Sequence, residues 1–299
     1  MELNTVQRRG SVLALFVALT VLGTATLAAL LPDRGAALDL QLAHTAEAFG
    51  QVIVRNWIPS NEGEGPNVAG NERASQPSFL RLRAHLVVDS VVFVPGYIGL
   101  LVFLTLLLAE HARVENAVAV HALCFVSVAA GFFDLGENGM TMQALDDFLA
   151  VLPEGSTYFD VRQLAGGATL LADGTVRDVF HASLVKWSLV AGSLVILSFL
   201  AAASWRRHEM PRRSDARNAL ARSYSLLLGA LFAGIAAVAL GLGVVAGVAS
   251  DGRASTALLV SGSAAAGLAL SAFVAWQALV LKAGARGRHS GPIQRAQVE

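Results

Sequence analysis

The sequence is poor in cysteine and in charge, and each shortage excludes a class of protein. Its single cysteine, Cys124, excludes a disulfide framework within the chain and a cysteine-based zinc site. Only 15% of the 299 residues are charged, whereas a soluble domain carries about a quarter. The formal net charge is zero, so no excess positive charge is available for phosphates, and we expect no nucleic-acid partner.

Long apolar runs are what the chain has in abundance. Hydrophobic residues make up 55% of it, and its mean hydropathy is +0.57. A helix needs about 20 apolar residues to cross a bilayer, and six windows meet this requirement: 11–31, 86–108, 117–138, 180–203, 225–248 and 256–281. We therefore predict an all-α fold, a polytopic membrane bundle with about six transmembrane helices, forming a single membrane domain over residues 1–299.

The distribution of arginine predicts the orientation of the spans. Arg8 and Arg9 precede the first span, which is longer than the apolar region of about 7 to 15 residues in a signal peptide, so we expect it to be retained. Six arginines follow the fourth span between residues 206 and 222, whereas the connection after the third span is mainly acidic. Basic connections stay in the cytoplasm, so we predict a protein of the cell inner membrane with both termini cytoplasmic. Residues 32–85 and 139–179 would be extracytoplasmic, and 283–299 a disordered cytoplasmic tail.

A helical stripe precedes the second span. Apolar side chains recur at intervals of three and four residues between Leu38 and Trp57, at Leu38, Leu42, Ala46, Phe49, Val52, Ile53 and Trp57. This spacing predicts an extracytoplasmic amphipathic helix with its stripe buried, either on the membrane surface or across the end of the bundle.

Lysine is almost absent, and Lys186, one of two lysines against twenty arginines, lies inside an apolar span. Ionisable residues within spans are expensive and by default mark function. Asp89 lies early in the second span, and Asp134 and Glu137 lie late in the third. Because consecutive spans alternate in direction, we expect these charges at one depth in the outer leaflet, with Lys186 within ion-pair reach of at least one carboxylate.

Spacing adds further residues to this candidate site. Asp134, Glu137 and Asn138 stand at positions i, i+3 and i+4, so they share one helix face. His85 and Asp89, four residues apart, also share a face. No His-x-x-x-His or comparable spacing is present, so we predict no metal ion and no cofactor. The candidate ligand-binding residues are His85, Asp89, Tyr97, Asp134, Glu137, Asn138, His181 and Lys186.

Three functions are open for this cluster. The leading hypothesis is a binding or transport-accessory protein whose site between spans 2, 3 and 4 takes a small polar ligand or a lipid headgroup, with Lys186 facing an anionic group. The alternative is a membrane-embedded hydrolase or transferase in which Glu137 and Asp134 act as acid and base. The third is a structural or assembly protein whose ion pairs only hold helices together. Membrane lipid is the expected partner in each case.

Small residues crowd the fifth and sixth spans. Gly243 and Gly247 stand four apart, and Gly262 and Gly267 follow in the sixth span. Such residues let helix backbones approach closely. They predict either a homodimer interface through spans 5 and 6 or, as the commoner use, packing within one chain.

Several short motifs resemble those of a family of uncharacterised bacterial multi-span membrane proteins. They are Asp89-x-x-x-Phe93-x-x-x-Tyr97, Phe133-Asp134-x-x-Glu137-Asn138 and Lys186-Trp187, together with Leu40-Gln41-Leu42 and Trp57. The resemblance covers residues 38 to 190 and does not reach the fifth and sixth spans. It implies a bacterial multi-span membrane protein and no particular activity.

The orientation can be tested by cysteine labelling of intact cells. Cysteines introduced at Ser60 and Ser156 should react with a membrane-impermeant reagent added from outside, because both positions fall in predicted extracytoplasmic segments. A cysteine at Ser214, within the arginine-rich connection, should stay protected. Labelling at Ser214 with protection at Ser156 would reverse the orientation.

Overall fold

The computed structural model describes residues 2–30, 36–57, 77–150, 173–206, 216–249 and 252–289. Within those ranges all regular structure is helical and no strand occurs. The helices are α1 (Glu2–Leu30), α2 (Ala36–Gln41), α3 (Ala46–Trp57), α4 (Pro77–Val88), α5 (Val94–His111), α6 (Ala117–Ala150), α7 (Asp173–Arg206), α8 (Ala216–Val248) and α9 (Gly252–His289), and a π-helical segment (Asp89–Phe93) joins α4 to α5. The prediction of an all-α fold is confirmed.

Six helical stretches in the described part of the chain are long and apolar enough to cross a membrane. The most apolar part of each has a mean hydropathy between 1.9 and 2.5. Their length and composition make the chain a multi-pass membrane protein. The stretches are Arg8–Leu30, Leu80–His111, Ala117–Asp147, Gly174–Arg206, Ala219–Val248 and Ala254–Leu281.

The helices extend beyond the apolar windows of the sequence. Residues 77–85, 139–150 and 173–179, which belong to the predicted extracytoplasmic segments, continue α4, α6 and α7 as helix. Hydropathy marks where a helix stops being apolar, whereas backbone hydrogen bonding continues through polar residues that tolerate a helix. The helices are therefore longer than the predicted spans, and the bounds of the spans within the membrane stay a prediction.

Helix α9 runs to His289, so it includes the first residues of the predicted tail, and the disorder of the tail stays a prediction. Residues 290–299 lie outside the described ranges, and so do the three labelling positions Ser60, Ser156 and Ser214.

Helix α5 lies at the centre of the bundle. It contacts α1, α6 and α7, and its residues Leu101, Leu104 and Leu108 are almost completely buried. Helix α7 also packs on α6 and α8, and α8 packs on α9. On the α1 side the backbones approach closely, since a Cβ atom at Gly23 would lie 2.8 Å from the Cβ of Phe93. Helix α1 is thereby packed directly on the π-helical segment.

The small residues of α8 and α9 are used for packing within the chain. A Cβ atom at Gly243 would lie 2.8 Å from Leu259, and one at Gly262 would lie 2.7 Å from Leu240. The hydroxyl of Ser255 also donates to the carbonyl oxygen of Gly243 at 2.8 Å. Intramolecular contact therefore accounts for Gly243 and Gly262 but not for Gly267, which meets open space, and a homodimer through the same spans stays a prediction.

A cap, made of α2 and α3, lies across one end of the bundle, here called the cap end. The Thr256 hydroxyl donates to Asp39 Oδ1 at 3.1 Å, which ties α2 to the start of α9. Helix α3 contacts α4 and α7. The cap therefore covers the ends of the helices that carry Asp89 and Lys186.

The predicted amphipathic helix is present but interrupted, so the expectation of one helix from residue 38 to 57 is wrong. Thr45 ends the break by capping α3, since its Oγ1 accepts a hydrogen bond from the Ala48 N–H at 3.1 Å. Leu42, Phe49 and Ile53 are buried, as the stripe predicts. The side chain of Trp57 lies outside the described part of the structure.

The opposite end of the bundle brings together the start of α1 and the ends of α5 and α9. Arg9 forms an exposed ion pair with Glu110 at 3.0 Å. The rings of His111 and Trp276 meet edge to face with centroids 4.9 Å apart. The first and last spans therefore have their terminal ends on the same side of the bundle.

Burial of the cap can be tested on α3. Phe49→Asp should destabilise the protein by at least the 1.5 to 3 kcal/mol or so that burying a large apolar side chain contributes. Gln51→Asp is the matched control, because Gln51 is exposed and the new carboxylate only repels Glu47 by a few tenths of a kcal/mol. Thermal unfolding in detergent measures both changes, and equal losses would show that α3 is not packed on the bundle.

Candidate functional site

Three helices place their charged residues at the same height. Asp89, Glu137 and Lys186 each lie about 18 to 20 Å from the cap-end terminus of their helix, at 1.5 Å per residue. Because α6 runs towards the cap end while α4 and α7 run away from it, these heights coincide. The equal depth predicted from the sequence is therefore present in the structure.

The π-helical segment begins at Asp89. Its widened turn is closed by a hydrogen bond from the Val94 N–H to the Asp89 carbonyl oxygen, five residues back instead of four. Pro95 follows directly and has no N–H to give to the carbonyl of Val91, so the ordinary α-helical ladder cannot continue through this turn. π-Helical turns occur often at functional sites, and this one positions the side chains of Asp89 and Ser90.

Lys186 is the centre of the cluster. Its Nζ lies 3.0 Å from Asp134 Oδ1 and 2.6 Å from Glu137 Oε2. Lys186 is 3% exposed and Glu137 is 1% exposed, so both ion pairs are closed off from water. The prediction that Lys186 lies within ion-pair reach of a carboxylate is confirmed, and two carboxylates, both on α6, share it.

The remaining polar groups extend the cluster to α5 and the π-helical segment. The Tyr97 hydroxyl donates to Asp134 Oδ2 at 2.7 Å, so both oxygens of Asp134 accept hydrogen bonds. The Asn138 side-chain amide donates to Asp89 Oδ2 at 2.7 Å and to the Ser90 hydroxyl at 3.1 Å. Asp89 has no cation within ion-pair distance among the described residues.

Several buried polar atoms of the same region have no hydrogen-bond partner among the described residues. They include Glu137 Oε1, Thr141 Oγ1 and His85 Nδ1, although the Ser183 hydroxyl of α7, bonded to the Val179 carbonyl, also faces Glu137. Glu137 and Thr141 stand four residues apart and share the inward face of α6. Buried polar groups in proteins are nearly always hydrogen-bonded, so unpaired atoms beside a charged cluster indicate a place for an additional polar species.

Thr141 is an exception among the threonines of the bundle. Thr20, Thr24 and Thr105 each donate to the carbonyl oxygen four residues earlier, which is the usual resting position of a threonine hydroxyl in a membrane helix. Thr141 is 2% exposed and makes no such bond. Its hydroxyl therefore stays without a partner among the described residues.

The structure brings together most of the residues singled out from the sequence. His85 is buried one turn before Asp89 but forms no hydrogen bond to the cluster through Nδ1. His181 is exposed and contacts the ring of Phe180, so it lies outside the buried cluster. Ser90 and Thr141 were not identified from the sequence, although Ser90 follows Asp89 directly and Thr141 stands four residues after Glu137.

The ligand types available do not form a metal centre. Within the described ranges, no group of three or more His, Cys, Asp or Glu residues is placed to hold a metal ion. The ammonium of Lys186 also lies between the two carboxylates of α6, where it would repel a divalent ion.

Comparison with known proteins gives no assignment. No protein-family model matches the chain, and no curated protein or solved structure is significantly similar to it. The motifs that resemble a bacterial multi-span family therefore stay an interpretation of the sequence, and function has to be inferred from the geometry of the cluster.

The ion pairs can be tested by removing their shared cation. Lys186→Met should cost about 3 to 5 kcal/mol of folding free energy, because it strands two buried carboxylates. Adding Glu137→Gln should restore part of that loss, which denaturation in detergent would measure.

The control is the exposed ion pair between Arg83 on α4 and Asp146 on α6. Arg83→Met should cost no more than about 1 kcal/mol, since exposed pairs contribute little. Similar losses for Lys186→Met and Arg83→Met would contradict the assignment of a buried cluster.

Proposed function

We propose that this multi-pass protein of the cell membrane binds a small polar ligand in the buried cluster formed by α6, α7 and the π-helical segment. The observation that carries the proposal is the set of unpaired buried atoms on Glu137, Thr141 and His85. A guest that forms hydrogen bonds there would satisfy groups that the described protein residues leave without partners. The role is that of a binding or transport-accessory protein, with both termini in the cytoplasm and the cap end outside.

The charges favour a neutral or cationic ligand over an anionic one. Lys186 was expected from the sequence to face an anionic group such as a lipid phosphate. Its ammonium instead lies against Asp134 and Glu137, so no positive charge is left for an anion. Three carboxylates against one lysine select a ligand that brings positive charge or hydrogen-bond donors.

The cap provides a route of access. Helix α3 contacts α4 and α7, and its residues Phe49 and Ile53 are completely buried there. Both contacted helices lead to cluster residues, so displacement of α3 would uncover the cap-end side of the proposed site.

The structural hypothesis is supported by one observation of its own. All three carboxylates, Asn138 and Lys186 are buried, which is the arrangement expected of a clamp between α6 and α7. A hydrolase or transferase is less well supported, because both oxygens of Asp134 are already engaged by Lys186 and Tyr97.

Chemical access to Thr141 separates a binding site from a closed clamp. In a Cys124→Ala background, Thr141→Cys should react with 2-aminoethyl methanethiosulfonate faster than Ala144→Cys, an equally buried position one turn nearer the cap end. A binding site predicts this order because it admits a small cation to Thr141. The negatively charged sulfonatoethyl reagent should react more slowly than the cationic one, because the cluster is acidic.

The cap supplies a second variable in the same assay. Phe49→Ala should speed the labelling of Thr141→Cys. In that background Ala144→Cys should still react more slowly than Thr141→Cys. No reaction at Thr141→Cys, with or without the cap substitution, would leave only the structural clamp.

A further inference from the structure

We infer that the buried cluster holds at least one exchangeable proton, carried by the carboxyl group of Glu137 or of Asp89. This inference deepens the proposed function and rests on it: the species that the acidic cluster accepts includes the proton itself. Its basis is the excess of acidic over basic side chains that the described residues bury together.

The cluster contains more acid than base. The titratable side chains that face it are His85 and Asp89 at the π-helical segment, Tyr97 on α5, Asp134 and Glu137 on α6, and Lys186 on α7. Neither α1 nor the cap brings a buried charge to it in the described part of the chain. Three ionised carboxylates and one ammonium would leave two uncompensated negative charges inside the bundle.

Two uncompensated charges cannot be kept out of water at a tolerable free energy. Burial of an ion without a partner disfavours its charged form so strongly that the group takes up a proton instead. Hydrogen bonds compensate a buried carboxylate only in part, and Asp89 receives one from the neutral amide of Asn138. At least one carboxyl group of the cluster must therefore be neutral.

The hydrogen bonds differ between the two carboxyl groups of α6. Asp134 accepts from the Lys186 ammonium on one oxygen and from the Tyr97 hydroxyl on the other. Glu137 has Oε1 free, and Thr141, four residues along the same face, has its hydroxyl oxygen free. A proton on Glu137 Oε1 would give this unpaired carboxyl oxygen a hydrogen that it could donate.

The same geometry favours the proton over a metal ion. Lys186 already fills the space between Asp134 and Glu137, and no metal-binding group of three is present among the described residues. A proton needs only one oxygen and adds no volume. It can therefore enter a cluster whose charged side chains are all buried.

Infrared spectroscopy of the detergent-purified wild-type protein tests this inference directly. A protonated carboxyl group gives a C=O stretching band that an ionised one lacks and that shifts in deuterium oxide. We expect this band at neutral pH and its loss as the pH is raised, because the neutral acid then gives up its proton. The band should be reduced or lost in Glu137→Gln, in Asp89→Asn or in both, according to which carboxyl group carries the proton, and it should disappear in the double variant.

Glu110→Gln is the matched control, since Glu110 is an exposed acid in the ion pair with Arg9 at the opposite end. It should leave the band unchanged. Absence of the band from the wild-type protein, or its persistence in the double variant, would overturn the inference. If the protein lacks the band and is more thermally stable in Na⁺ than in choline, an alkali ion supplies the compensating positive charge instead of a proton.

The outcomes separate this inference from the proposed function. If the band is absent but Thr141→Cys is labelled, the site binds a ligand and the proton is excluded. If the band is present but Thr141→Cys stays unreactive, the proton is a fixed part of a structural clamp, and the proposed ligand site falls.

Discussion

The ammonium group of Lys186 is the contact on which the arrangement of the central helices depends. It joins α7 to α6 through two carboxylates in a place without water, where a single unpaired charge would be unstable. Asp134 carries the connection on to α5 through the Tyr97 hydroxyl. One cation thus fixes the rotation and the height of three helices. Apolar contacts alone would specify the rotation and the height of these helices less strictly.

The second constraint is the π-helical turn at Asp89. It owes its place to Pro95 on one side and to the close backbone contact with Gly23 of α1 on the other. The widened turn presents Asp89 and Ser90 together to Asn138 of α6. The polar cluster is therefore connected to α1 as well, although α1 contributes no charge to it. A ligand or proton that changes the bonding of Asp89 would act on a segment whose backbone bonding already departs from the α-helical pattern.

Much of the architecture was predictable because it depends on composition and period. Lipid as the solvent requires long apolar helices, and the six windows correspond to the six apolar helices. The 3.6-residue period of the stripe before the second span predicted the burial of Leu42, Phe49 and Ile53. It did not predict the break at Thr45. A capping residue can interrupt the helix there while the apolar side chains keep their spacing of three and four residues, so the period does not reveal the break. Hydropathy does not give the helix ends, since it reports polarity and not backbone bonding.

The sequence by itself determined that the chain spans a membrane, that its rare charges lie at one depth, and that Lys186 needs a carboxylate partner, since each follows from the free energy of a charge in an apolar medium. Only the tertiary structure decided that Asp134 and Glu137 share Lys186 while Asp89 is bound by an amide. It also decided that His181 faces outwards and that Thr141 has no partner. These choices depend on the rotation of each helix about its axis, which the packing of its neighbours sets and no local pattern encodes.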